Sequence, residues 1–234
     1  YSHPFIDNIF AYLTSGAPAV SEADKSIYES ACIINMSHVE NIGRDKTGHA
    51  VDGLFSCAIR AGMMPYMNMD YVIESAIKIY DGASVIFLIE PAQRFSEREI
   101  QALNEFMENG GTVVITGAYD SPKATIELVK QYGFEFDDLP IGRVSHSKNS
   151  EMAFWNACPL IYNGQPLGID GADGVKCLMD VWGYGVMAEK EIGNGRLHIV
   201  GDSEFFKNKN LEGADTYRQG NVDFTDFILK QHLN

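Results

Sequence analysis

The chain has 234 residues, of which 45% are apolar and 21% charged, enough for one large globular domain or two small ones with a substantial core. A formal charge of −14 excludes a nucleic-acid partner, because phosphates would be repelled and no Lys/Arg cluster offsets them. No apolar run approaches the roughly 20 residues of a membrane span. The expectation is a soluble acidic domain of open localisation. The chain starts at Tyr1 and not at Met, as would a processed product or an extracytoplasmic domain excised from an anchored protein.

Residues 1–30 suggest a helical lead-in, with Phe5, Ile6, Ile9, Phe10 and Leu13 at helical spacing. "SACIINMSH" has the apolar run of a first core strand, ending near Ser37 and His38, and a polar, glycine-bearing loop follows. "AVDGLFSCAIRAGM" suits a helix stopped by Gly62. "YVIESAIKIYDGAS" suits another, with Val72, Ile73, Ala76, Ile77 and Tyr80 on its apolar side. "SVIFLIEP" is a near-continuous apolar run stopped by Glu90-Pro91, as in strands covered on both faces. In "RFSEREIQALNEFMENGG", Ser96 and Glu99 have the capping-box spacing and Gly110-Gly111 mark the stop. "TVVIT" is the next buried strand, and Ser121-Pro122 opens a helix running to Gly133.

This alternation predicts an α/β fold, flavodoxin-like and doubly wound, with a mainly parallel sheet. After residue 134 the chain turns rich in Gly, Pro, Asp and Asn, which predicts a β-rich elaboration near 134–195. Two strand-like runs joined by Gly193-Asn194-Gly195 read as a hairpin. A closing helix carries Val222, Phe224, Phe227, Ile228 and Leu229. With no repeat and no low-complexity linker, residues 1–234 read as one elaborated domain.

The four cysteines form no CxxC pair, against a zinc ribbon or redox dithiol. Cys32 and Cys57 read as buried hydrophobes, and Cys158 with Cys177 as the candidate disulfide of an exported protein. Phosphate-cradling and nucleophile-elbow motifs are missing, so neither a cofactor nor a metal is expected.

In open parallel sheets, ligands bind beyond the carboxyl ends of the strands. That rule gathers Ser37, His38, Glu90, Tyr119, Asp120, Asp202, Ser203 and Glu204 at one rim, with Asn35, Asn41, Arg44 and His49 nearby. His38 is the leading candidate for a base or ligand, set against a strand-end histidine bonded to a loop carbonyl. Asp202 suits a metal or hydroxyl contact, set against a cap of the following turn. His198 alternates with apolar residues in "RLHIV" and reads as structural.

The stretch "YDGASVIFLIEPAQRFSEREIQALNEFMENGGTVVITGAYDSP" resembles the core of the class I glutamine-amidotransferase-like superfamily. "IINMSH", "GNGRLHIVGDSEFFKN" and "GNVDFTDFIL" are similar to the branch found in gliding-motility ABC-transporter subunits, intraflagellar transport proteins, an oligosaccharyltransferase subunit and DUF4350 domains. Catalytic amidotransferases place a cysteine at the turn after the strand equivalent to "TVVIT", activated by a later histidine. Here that turn is Gly117-Ala118-Tyr119 and holds no Cys or Ser, and no H-x-E pair stands near the C-terminus. The resemblance therefore implies a non-catalytic member that binds a partner or ligand at the old active-site rim.

The leading expectation is a binding or assembly domain for a protein partner or a small-molecule or glycan ligand, able to oligomerise and part of a membrane-associated or transport assembly. The rival is a glycan-directed or metal-assisted hydrolase using His38, Glu90 and Asp202. A third reading is a small-ligand sensor walled by Trp155, Trp182 and Tyr184.

Overall fold

The structure, a computed structural model, describes residues 30–43, 50–80, 82–144, 159–169, 173–213 and 215–231. The expected lead-in up to residue 29, together with Arg44, His49, Trp155 and Cys158, lies outside them, and so does any Cys158–Cys177 bridge.

The first half alternates strand and helix as the apolar pattern demands: β1 (Ser30–Asn35), α1 (Asp52–Arg60), β2 (Met63–Asn68), α2 (Ile73–Ile79), β3 (Ala83–Ile89), α3 (Glu97–Glu108), β4 (Thr112–Thr116) and α4 (Lys123–Gln131). The second half adds β5 (Gly142–Val144), β6 (Ile161–Gly164), β7 (Val175–Val181), β8 (Tyr184–Ile192), β9 (Gly195–Val200), β10 (Glu212–Gly213), β11 (Thr216–Tyr217) and α5 (Gln219–Lys230). Among the described residues the central sheet has seven strands in the order β2-β1-β3-β4-β9-β8-β7, the flavodoxin-like arrangement with β9 as fifth parallel strand.

Both faces of the sheet are covered. Cys32, Ile34, Phe87 and Val114 pack with Leu54 and Cys57 of α1 and with Phe224 and Ile228 of α5. Ile33, Ile86, Leu88 and Ile115 face the opposite layer, with Ile73 of α2, Leu103 of α3 and Leu128 of α4. Phe206 stands edge-on to Phe87 and Phe205, with ring centroids 5.0 Å apart in each pair. Each such buried ring contributes roughly 2–3 kcal/mol. Among the described residues no helix is long and apolar enough to cross a membrane.

Two features differ from expectation. "MMPYMN" forms β2, which the apolar pattern did not announce because Pro65 interrupts it; β2 is an edge strand, where the missing N–H is tolerated. The elaboration at 134–195 also divides. β5 and β6 make a separate two-stranded sheet, whereas β7 and β8 extend the central one antiparallel to β9. The predicted turn at Gly193-Asn194 is what delivers β8 to β9.

This topology sends Asn35, Asn68, Ile89, Thr116 and Val200 to one edge, the carboxyl rim. Because Met187 registers with Val200, the start of β8 runs past the end of β9, and the β7–β8 turn projects at that rim.

Candidate functional site at the carboxyl rim

β1 ends in a buried polar cluster. The Asn35 amide donates to Glu40 Oε1 and lies 3.3 Å from His38 Nδ1, while Asn68 Nδ2 donates to Asn35 Oδ1 at 2.6 Å. Ser37 Oγ is 3.1 Å from the same His38 nitrogen. On the other side of the ring, Nε2 lies 3.3 Å from Glu99 Oε1 and donates to that carboxylate whenever it carries the proton. The imidazole stacks on Phe95 at 3.8 Å and 7°. Burial lowers His38 below the usual histidine range, against the pull of Glu99.

Glu99 is thus more than a helix cap. It closes the predicted capping box with the Ser96 backbone and hydroxyl, both at 2.9 Å, and also accepts the Ile73 N–H at 3.1 Å. Burial raises this carboxyl, but those bonds and the nearby His38 charge together hold it below its ordinary value. Glu40 accepts the His38 N–H at 3.0 Å, and burial pushes its carboxyl up to about 7.

Glu90 belongs to a second cluster. Its carboxylate accepts the Ser121 hydroxyl at 2.5 Å and the Asn41 amide, and Ser121 Oγ accepts the Ala118 N–H at 2.7 Å. Ser121 thereby locks the Gly117-Ala118-Tyr119 turn to the end of β3. Pro122, expected as the first helical residue, stands one place earlier as the cap. Asp202 forms a third cluster, accepting the N–H groups of Tyr162 at 2.7 Å and Glu204 at 2.9 Å; burial pushes it up to about 6. It fastens β6 to the end of β9. Ser203 is buried beside it, while Tyr119 and Asp120 are exposed.

The rim therefore collects the expected residues without joining them. Among the described residues no hydrogen bond or ion pair links the side chains of His38, Glu90 and Asp202, and no three His, Cys, Asp or Glu converge to hold a metal. The geometry gives no support to a hydrolase built on those three. Nor do Trp182 and Tyr184 wall a closed pocket; both are exposed at the β7–β8 turn. A groove of about 800 Å³ runs instead between α2 and α3, from Glu74 and Arg98 near the start of each helix to Ala83 and Gly110 at the opposite edge of the sheet. His198 is fully buried with Nε2 2.6 Å from Gln231 Oε1, the structural role read from its alternation.

What the rim shows to solvent is apolar. Val39, Met69, Val72, Tyr119, Trp182 and Tyr184 all follow strand ends there or sit on the projecting turn, and they are six of the nine exposed large hydrophobic side chains among the described residues. Among the described residues, three non-glycine positions have left-handed backbone, Val39 (φ 56°), Glu90 (φ 49°) and Trp182 (φ 56°), and all three lie at this edge. Such conformations cost roughly 1–3 kcal/mol each and persist only where neighbours enforce them.

The family model described as "Domain of unknown function (DUF4350)" matches residues 72–218. No curated protein matches the chain. Among solved structures, the mmIFT52 N-terminal domain superposes with a TM-score of 0.65 at 15% identity, over 88% of this chain and 98% of that one. The cytoplasmic protein STM1381 from Salmonella typhimurium LT2 follows at a TM-score of 0.52 and 11% identity, over 85% and 99% of the two chains. At these identities the likeness is one of fold.

Proposed function

This chain belongs to the DUF4350 family, and we propose that it is a non-catalytic binding domain that docks a protein partner on the carboxyl rim of its sheet. The observation that carries this reading is the concentration of exposed apolar side chains at that edge, above polar groups already bonded to one another. A base or nucleophile ready for chemistry would need a free lone pair facing substrate. Here His38 is enclosed by Asn35, Ser37, Glu99 and Phe95, and Ser121 is held between Glu90 and the Ala118 amide. The Gly117-Ala118-Tyr119 turn, with no nucleophile, supports the same view of an amidotransferase-like frame without its reaction.

A row of projecting side chains suits a partner's surface better than a small ligand, which is favoured by a concave, enclosing site. From β2 to β7 the sheet edge spans six interstrand spacings, roughly 29 Å, comparable to the width of a standard protein–protein interface of about 800 Å² per partner. Site-specific photocrosslinking tests the proposal. A photoreactive residue in place of Tyr119 is expected to give one discrete adduct in cells that make the protein, and the same residue in place of Ile79, at the far end of α2, none. Equal labelling at both positions, or none at Tyr119, would sink the idea.

A further inference from the structure

We infer that the partner presents a cationic and apolar segment, Lys or Arg interleaved with aliphatic or aromatic residues, anchored at one end by Trp182. This rests on the rim being the docking face and names the chemistry that face selects.

The first support is the β7–β8 turn. Val181 pairs with Tyr184, leaving Trp182-Gly183 as a two-residue loop with φ of 56° and 90°, both left-handed. That is the pattern of a type I′ turn, which selects Asn-Gly or Asp-Gly because Asn and Asp tolerate the left-handed region. Tryptophan lacks that tolerance, and the residue is 63% exposed, so packing does not explain its presence. The turn is held regardless, by the Gly183 N–H bonded to Asp180 Oδ1 at 3.1 Å. Val39 repeats the device across the sheet: a β-branched residue at φ 56°, 58% exposed, pinned by the Glu40–His38 bond and by Asn41 N–H bonded to Ile89 O at 2.9 Å. Two exposed apolar side chains are thus displayed on backbone that their residue types disfavour, a local conflict expected at binding sites.

The second support is charge. Asp70 follows Met69, Asp120 follows Tyr119, and Asp137 and Asp138 precede Leu139; all four carboxylates are exposed and none is ion-paired among the described residues. Asp137 reaches this edge because its N–H donates to Pro166 O, next to the Gln165 N–H bonded to Gly201 O. Exposed cations do find carboxylates, both at the rim, where Arg94 pairs with Glu127 and Lys209 with Glu204, and away from it, where Lys78 pairs with Glu74 and Lys130 with Glu135. Among the described residues, Asp70, Asp120, Asp137 and Asp138 thus stay without an ion pair around the apolar row, a fringe that attracts a basic segment and repels an acidic one. From β1 to β7 the distance is five interstrand spacings, roughly 24 Å, the length of a helix of about 16 residues.

The test uses a labelled amphipathic peptide of Leu and Lys, about 18 residues long, its Leu/Glu counterpart and a Ser/Lys peptide, at about 0.15 M salt. Fluorescence anisotropy is expected to show saturable one-to-one binding of the Leu/Lys peptide alone. Trp182→Asn should weaken it roughly tenfold while raising the melting temperature, because Asn suits the turn. Asp70→Asn with Asp120→Asn should weaken it too and flatten its salt dependence. Equal binding of the Leu/Glu or Ser/Lys peptide, or an affinity untouched by Trp182→Asn, would overturn the proposal. Self-association or binding to phosphatidylcholine vesicles, lost in Trp182→Asn, would overturn it in favour of a second copy or a bilayer. A Tyr119 crosslink to a segment lacking Lys and Arg would refute the chemistry yet keep the docking face, whereas no crosslink would remove both.

Discussion

The Glu99 carboxylate completes the start of α3, secures the first residue of α2 and lies 3.3 Å from His38 Nε2. Charge-assisted bonds of this kind contribute about 1.5–3 kcal/mol each, net of exchange with water. Glu99→Ala should therefore lower stability by roughly 3 kcal/mol in urea titrations. Glu99→Gln keeps the capping pattern and should cost less; it should also drop the His38 titration midpoint further, followed by NMR, since the Glu99 charge is what raises it. Glu40 makes the opposite kind of prediction. Its folded carboxyl is pushed up to about 7, above an unfolded value near ~4.3. Its contribution is fully present below that unfolded value and is lost as pH rises through 7. Asp202, pushed up to about 6, acts in the same direction over a lower window, while His38, lowered by burial, costs stability as pH falls through its ordinary range. Comparing urea midpoints at several pH values between 5 and 7.5, Glu40→Ala should be less stable throughout but should lose less stability as pH rises. A slope identical to the wild type would mean that Glu40 titrates at its ordinary value.

The helices and central strands were legible because each carries its own punctuation: Ser96 and Glu99 open α3, Gly62 and Gly133 close α1 and α4, and unbroken apolar runs mark β3 and β4. β2 was not, since an edge strand interrupted by Pro65 looks like a loop. The rim residues were legible as a set, because strand ends can be read from apolar runs. Their partners were not. Glu99 meets His38, and Ser121 meets Glu90, only through the packing of α3 and the β4 turn against neighbouring strands, and no local spacing encodes that. Asn221 shows the same limit: it stands at the third position of α5, fully buried, bonding Leu160 N–H at 2.6 Å and the carbonyls of Leu160 and Asn210. Gly201 marks where β6 closes on β9. A Cβ there would sit 2.0 Å from Gln165 O, a backbone atom with no room to yield. Gly201→Ala should cost roughly 3 kcal/mol, measurable as a fall in melting temperature, with added protease cleavage near residue 165 as the elaboration comes away.

At the scale of the molecule, strand order separates two partners that must meet. β4 lies between β3 and β9, and all five of its residues, Thr112 to Thr116, are buried. β3 and β4 are close in sequence, but β9 is not complete until Val200. At roughly 5–20 residues per second of synthesis, the nascent chain holds an open, β-branched edge for several seconds before its cover exists. Such an edge, uncharged and free of proline, is the kind that pairs with other chains. A chain ending at Phe134 should therefore form aggregates that bind thioflavin T, and lysines in place of Val113 and Ile115 should suppress them. The full chain would carry this hazard only while being made, so its yield in cells should depend on how quickly the ribosome reaches β9 and on chaperones that shield β4 until then.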